Sequence, residues 1–207
     1  LARGGRAEII GRSHRGREIF AFAWTIEGRA AAAPAPAPRI LLLSLLHPME
    51  WIGLETHLAL LEDWLDPHPG PVAPLPAGTQ LISVPVVNAD GFARVEAALR
   101  ARARRWIRGN ERHVDLNRNF PVGHRTRPGW TGWWPLYRPG PAPLSEPETR
   151  AVADLARRMR PTVALSLHSF GRRVFYPAAR QWRPSAGTPA HAARARAAVA
   201  GTAYRAG

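Results

Sequence analysis

Apolar positions along this chain follow two rhythms, one of short extended runs and one of helical stripes. Ala7 to Ile10 and Glu18 to Trp24 read as strands on either side of Gly11 to Gly16, a hairpin-like opening. Ile40 to Leu46 is an unbroken apolar run ended by His47-Pro48, which suits a strand buried on both faces of a parallel or mixed sheet. Trp51 to Leu65 changes period: Leu54, Leu58, Leu61 and Leu65 recur at helical spacing, with Glu55, Glu62 and Asp63 off the stripe. Leu81 to Val87 is a further strand, stopped by Asn88-Ala89-Asp90-Gly91, and Pro85 within it predicts a bend or an edge. Phe92 to Ile107 reads as a helix stopped by Gly109-Asn110, and Val114 to Leu116 as a brief extended piece.

In the last third, Ser145-Glu146-Pro147-Glu148 has the form of a helix start, with Ser145 as cap and Glu148 three residues later. That helix runs to about Arg160 and stops at Pro161; Thr162 to Leu167 is a strand ending in His168. Val174 to Tyr176 predicts another strand and His191 to Tyr204 a final helix. The connecting segments are an Ala/Pro stretch at Gly28 to Arg39, a Pro-rich loop at Asp66 to Gly78, and Pro121 to Pro143, rich in Trp, Gly and Pro. Trp130, Trp133 and Trp134 in the last of these form either a ligand-binding rim or a staple holding a long loop to the body. Strands alternating with helices predict an α/β domain with layered architecture.

Composition narrows this picture. The 207 residues, 45% apolar, are enough for one domain with a real core, so residues 1 to 207 are expected to form a single one. No apolar run approaches the roughly 20 residues that span a bilayer, and the Arg-rich start has no signal-peptide core. The compartment stays unknown. With no cysteine, any metal must be held by imidazole and carboxylate. The charge of +14 is carried by arginine alone, with no lysine, and Arg94, Arg100, Arg102, Arg104, Arg105 and Arg108 crowd one segment. A phosphate-binding helix competes there with a solvated face; the second is favoured and no nucleic-acid partner is expected, because no recognised binding pattern accompanies the charge.

His47 and His168 each follow the C-terminal end of an apolar strand, and Asn88 closes a third. In open α/β sheets ligands bind in the crevice beyond those ends. Glu50, one turn after His47, can swing its carboxylate to the same point. Two imidazoles and one carboxylate leave a fourth position for water, the open coordination of a catalytic zinc. His-x-x-Glu alone is a weak signal, with about 0.4 occurrences expected by chance at this composition. A matching His168 and the Asp-Leu-Asn-Arg-Asn string strengthen it.

These residues also carry a resemblance. His47-Pro-Met-Glu50-Trp-Ile resembles the His-x-x-Glu metal motif of the zinc carboxypeptidases, the carboxypeptidase A type. Asn88-Ala-Asp-Gly91 resembles their Asn-Pro-Asp-Gly turn, and Val114 to Phe120 their Val-Asp-x-Asn-Arg-Asn segment. Ser145-Glu-Pro-Glu-Thr149, Leu167-His-Ser-Phe-Gly171 and the Gly11-Arg-Ser with Gly16-Arg opening match in order, so the likeness spans roughly Ile10 to Pro177. The resemblance implies a three-layer α/β/α fold with a mixed, mostly parallel central sheet, its C-terminal part missing here. It implies one Zn2+ held by His47, Glu50 and His168, with Asp115 bonding a ligand imidazole. Asn117 and Arg118 would receive the substrate's terminal carboxylate. Arg108 would stabilise the oxyanion, with Arg105 as its rival. Met49 and Ala89 depart from a frequent arginine and a proline of the family, which shifts substrate contacts and leaves metal binding intact.

The implied reaction is hydrolysis of a C-terminal peptide or amide bond: zinc activates water and a glutamate moves the proton. The implied partner is a peptide or cell-wall peptide with a free carboxylate. No Asp or Glu follows Asp154, so the catalytic Glu and a closing Tyr are expected beyond Gly207 and the chain alone is expected to be inactive. Close variants are a peptidoglycan peptide amidase and an N-acyl amino acid deacylase. A reading of another class is a non-catalytic module that keeps zinc and binds carboxylates.

Overall fold

The computed structural model describes residues 4–27, 36–68, 70–103, 105–124, 137–177 and 187–207. Arg104 and the three tryptophans at 130, 133 and 134 lie outside that range, as does most of the Ala/Pro connector. The chain divides into two compact units, Leu1–His168 and Ser169–Gly207.

The first unit is built on a five-stranded sheet in the order β1-β2-β4-β3-β5. β1 (Arg6–Arg12) and β2 (Glu18–Thr25) form the antiparallel hairpin, and β2 pairs antiparallel with β4 (Gln80–Val84). β3 (Arg39–Leu43) lies parallel between β4 and β5 (Val163–Ser166), with Leu43 opposite Val84 on one side and Ser166 on the other. The sheet is therefore mixed, parallel at the end that carries the site.

Alternate residues of β3 and β4 face opposite layers, because side chains on a strand have a period of two. Leu41, Leu43, Ile82 and Val84 pack with Ala151, Val152 and Leu155 of α3 (Pro147–Met159). Ile40 and Leu81 pack instead with Leu61, Trp64 and Leu65 of α1 (Trp51–Leu65). Helices on both faces give the three layers that the family resemblance implies. The apolar runs of β3 and β4 are continuous for this reason.

Several boundaries differ from the sequence expectation. β3 ends at Leu43 because Leu45 takes a left-handed backbone (φ 51°), which turns the chain out of the ladder before His47. β4 ends at Val84, where Pro85 offers no N–H to continue it. α2 spans Ala89–Arg100 and not Phe92 to Ile107. Asn88, read from sequence as the stop of a strand, caps this helix: its side chain accepts from Gly91 N at 2.9 Å. A Cβ on Gly91 would lie 2.6 Å from Asn88 Oδ1 and 2.7 Å from Pro48 Cγ, so only glycine lets the cap close there. The helix stops at a left-handed Arg102 (φ 52°). α3 is capped at Glu146, not Ser145, whose hydroxyl donates to Glu146 Oε1. Leu116–Arg118 is a 3-10 turn and no extended piece, tightened by Asp115 accepting from Asn117 N at 3.0 Å.

The second unit contains β6 (Arg173–Val174), α4 (Thr188–Val199) and β7 (Arg205–Ala206), with β6 and β7 parallel. α4 ends earlier than Tyr204 because Ala200 is extended and Gly201 left-handed. β6 is shorter than the Val174 to Tyr176 strand of the sequence reading, and two-residue β7 has too few positions to show a period.

On the α1 face, His57 sits fully buried between Ser44 Oγ and Ser83 Oγ, 2.8 Å from each. Burial pushes its pKa down to about 4, so the folded state holds it neutral. The unfolded chain takes a proton near 6.5, so this group's contribution is intact above that pH and is lost as pH falls toward 4. Roughly 3 kcal/mol of stability is expected to disappear over that window through His57. Urea unfolding at pH 7 and pH 4 should show a smaller pH dependence in His57→Asn than in wild type; equal slopes would contradict the assignment.

Candidate metal centre

The site lies at the C-terminal ends of the parallel strands. Beyond β3 and β4 the two chains stay tied, with Val87 N bonding Ser44 O, Asn88 N bonding Leu45 O and the Asn88 amide bonding Leu46 O. On the other side Leu167 N bonds Leu43 O at 2.9 Å, which fixes the approach to His168. Trp51 Nε1 donates to Pro48 O and Glu50 N to His47 O, closing the turn that separates the histidine from the glutamate. Gly53 completes the arrangement. A Cβ there would meet Leu167 O at 3.1 Å, so a bare α-carbon lets α1 approach the end of β5 and brings Glu50 alongside His168.

His47 Nδ1 and Glu50 Oε1 are 2.9 Å apart, His168 Nδ1 and Glu50 Oε2 2.8 Å, and the two Nδ1 atoms 3.1 Å. Three donor atoms from residues up to 121 positions apart thus converge on one point. Glu50 occupies the N-cap position of α1 yet makes no side-chain cap bond; its carboxylate turns to the imidazoles instead. His47 and Glu50 are buried, whereas His168 is 29% exposed on its side chain and leaves an open flank.

His47 Nε2 lies 2.9 Å from Asp115 Oδ1, a carboxylate that only accepts, so Nε2 carries the proton. In the neutral ring Nδ1 then presents a lone pair, aimed at the carboxylate of Glu50 and the Nδ1 of His168. Where a proton takes the place of a cation on Nδ1, burial would still raise Glu50, but hydrogen bonds from His168 and His47 outweigh it and hold its pKa down to about 2. Burial opposes charge on His47 too; the bonds to Asp115 and Glu50 prevail and raise it. Lone pairs and negative charge focused on one point call for a cation. Zinc bonds of roughly 2.0–2.1 Å set ligand atoms about 3.3 Å apart in a tetrahedron, a few tenths beyond the separations here. The donor set therefore fits zinc.

Around the three ligand-type residues stands a charged cradle. Asp115 is fully buried and bonds Arg108 Nε at 2.9 Å through Oδ2. Burial would raise its pKa; His47, Arg108 and Arg118 together lower it. Arg108 also places a terminal nitrogen 3.8 Å from Glu50 Oε1, at the edge of the centre. Arg105, its rival in the sequence reading, is exposed and lines a surface pocket with Trp106. Of the two, Arg108 is the arginine brought to the centre. Tyr137 underlies the guanidiniums of both Arg108 and Arg118, 4.7 and 5.8 Å from its ring centroid. Asn117 is exposed and Arg118 half-buried, with Arg118 bonding Asn117 O.

The loop carrying these groups is gripped at both ends by the Ser145-to-Thr149 motif. Asn110 donates to Glu146 and Glu148 through Nδ2, while its side-chain Oδ1 accepts from Arg112 N and Val114 N. Asn119 donates to Ser145 Oγ and accepts from Glu146 N and Thr149 Oγ1. Tyr137, Asn110 and His14 escaped the sequence reading. Tyr137 sits in an irregular loop with no period to reveal it, and only Asn110's place before a turn gave any signal.

Comparison with known proteins adds to this geometry. A family profile described as zinc carboxypeptidase matches residues 6–205. Carboxypeptidase B2 of Rattus norvegicus is 35% identical over 105 residues, covering 45% of this chain and 24% of that protein. Gamma-D-glutamyl-L-diamino acid endopeptidase 1 of Lysinibacillus sphaericus is 30% identical over 156 residues, 63% of this chain and 39% of that protein. The chain thus spans well under half the length of these relatives. Among solved structures, carboxypeptidase A from Helicoverpa armigera superposes with a TM-score of 0.72 at 23% identity, covering 92% of this chain and 47% of that one. Thrombin activatable fibrinolysis inhibitor gives 0.76 at 22%, covering 98% and 53%. Murein-tripeptide amidase of Escherichia coli O157 gives 0.54 at 25%, covering 84% and 66%. These structures share its fold.

Proposed function

Because the chain belongs to the zinc carboxypeptidase family, we propose that it is the metal-holding part of a zinc-dependent hydrolase that removes residues from the C-terminal end of peptides. The observation that carries this reading is the convergence of His47 Nδ1 and His168 Nδ1, 3.1 Å apart, on the two oxygens of the Glu50 carboxylate, at 2.9 and 2.8 Å. Zinc, when bound, supplies Lewis-acid polarisation of the scissile carbonyl and of a water. His47, Glu50 and His168 hold it. Asp115 keeps the proton of His47 on Nε2, so that Nδ1 offers its lone pair toward the ion.

Arg108 lies where a fixed guanidinium can stabilise negative charge growing on the carbonyl oxygen. Its bond to Asp115 and the ring of Tyr137 beneath it hold it in place before substrate arrives. Asn117 and Arg118 offer an amide and a guanidinium to the terminal carboxylate, a planar pairing that restricts cleavage to the chain end. Among the described residues both carboxylates at the centre, Glu50 and Asp115, are engaged with imidazoles. Both are therefore assigned positioning roles and not that of the proton acceptor, and the chain spans well under half the length of the curated relatives it matches.

A second substrate reading keeps the same chemistry on cell-wall peptides. It is favoured by the match to the gamma-D-glutamyl endopeptidase, which extends over 63% of this chain where the carboxypeptidase match covers 45%. Zinc analysis of the purified chain tests the centre and is expected to return bound metal that His168→Ala loses. Binding of a free amino acid, measured by calorimetry, tests the carboxylate pair. Arg118→Ala should weaken it by about 10-fold or more while zinc content is unchanged, since a charge-assisted bond contributes about 1.5–3 kcal/mol. Binding that is indifferent to Arg118 would refute its role. Hydrolysis of peptides against cell-wall fragments, by the protein carrying the remaining family length, separates the two substrates.

A further inference from the structure

The turn between β1 and β2 carries His14 to the start of α3, where Glu146 and Glu148 stand one residue apart on either side of Pro147. His14 Nε2 lies 2.7 Å from Glu146 Oε2, and one donor atom from each of the three residues lies within 4.8 Å of the others. The carboxylates are sealed from solvent, at 1% and 0% exposure. The Asn110 amide donates to both, at 2.8 and 3.1 Å, and Ser145 Oγ to Glu146 Oε1 at 2.7 Å.

One atom is left over. Glu148 Oε1 is buried with no hydrogen-bond partner. A buried acceptor in that state costs about 1–3 kcal/mol, and more when it carries charge. Among the described residues, the one ion pair made by these two carboxylates is that of Glu146 with His14. Yet this chain has 29 basic residues, all arginine. Simple neutralisation of two buried acids had guanidinium in abundance. The fold surrounds them with an imidazole and an amide instead, the groups that accompany carboxylates around a metal ion.

We propose that His14, Glu146 and Glu148 form a second divalent-metal site, distinct from the His47 centre, with Asn110 orienting the two carboxylates. One imidazole and two carboxylates are a donor set for zinc and neighbouring first-row ions. With His14 and Glu146 2.7 Å apart and all three donor atoms within 4.8 Å of one another, rotation of the Glu148 carboxylate can bring the set to the roughly 3.3 Å between zinc ligands. His14, partly exposed, leaves the route by which an ion and a water enter. The ion ties together the hairpin turn, the Asn110 loop and the first turn of α3. Its role is to fasten structure around the loop that carries Asp115, Asn117 and Arg118.

The test is metal counting, and it requires no turnover. Purified protein is equilibrated with buffered zinc and its content measured by plasma mass spectrometry in wild type, Glu148→Gln and the double variant His47→Ala/His168→Ala. Glutamine preserves the acceptor for Asn110 and so disturbs folding least. Two ions are expected in wild type and one in each variant, with zinc raising the melting temperature of the double variant until Glu148→Gln is added to it. Equal zinc content in wild type and Glu148→Gln overturns the proposal, whatever that content is; a proton then occupies Glu148. Loss of one ion in Glu148→Gln with two retained in the double variant sinks the His47 centre and leaves this site standing.

Discussion

His47→Ala is expected to cost the chain its zinc at the strand-end centre, with affinity falling by more than about 100-fold, the upper end of what loss of a mere supporting hydrogen bond costs. The reason is geometric. His47 supplies the lone pair nearest both other donors, and its removal leaves one imidazole and one carboxylate, too few for a closed grip on a small cation. It also removes the 2.9 Å imidazole partner of the buried Asp115, leaving it Arg108 and the Asn117 amide. Competition with a zinc chelator measures the effect, and circular dichroism separates it from unfolding. His168→Ala should lose zinc comparably yet cost less stability, since that residue is partly exposed. Wild-type affinity in both variants would dispose of the centre.

Asp115→Ala is expected to be the most destabilising polar substitution in the protein. Asp115 joins His47 on one side and Arg108 on the other, and all three side chains are buried or nearly so. Removing one partner from a buried ionic cluster costs about 3–5 kcal/mol, because the remaining charge has neither water nor counter-ion. For a chain of this length that is a fall of roughly 6–20 °C in melting temperature. Asp115→Asn keeps the shape and an acceptor for His47 but withdraws the charge facing Arg108. It should fold and bind zinc about 10- to 100-fold more weakly. Differential scanning calorimetry and chelator competition give the two numbers, and a melting temperature unchanged in Asp115→Ala would contradict the cluster's importance.

The grouping of His47, Glu50 and His168 was legible in the sequence because its parts sit at strand ends, and strand ends are marked by the change from apolar runs to polar residues. His47 closes the run that holds β3 and His168 the run that holds β5, so the layered fold alone brings them to one edge of the sheet. The α1 stripe was legible in part: Leu61 and Leu65 pack with Leu81 and Ile40, whereas Leu58 of the same stripe is 40% exposed. The Asn88 cap was not. Its string reads as turn chemistry in isolation, and only the packing of Gly91 against Pro48 shows that the helix starts there. Ser145 misled for the complementary reason: Glu146 has to face Asn110 and His14, which moves the cap by one residue. Tyr137 and His14 are single side chains from irregular segments, and their neighbours are chosen by tertiary contact that no local pattern encodes.

β5 is flanked by β3 on one side and ends the strand order on the other, with Val163 and Leu165 37% and 40% exposed. Among the described residues no further strand pairs with the outer side of β5, so its amide and carbonyl groups there are placed to accept one. In a chain of residues 1 to 207 alone, Leu165→Lys places a charge on that edge and should lower the turbidity that develops at high concentration.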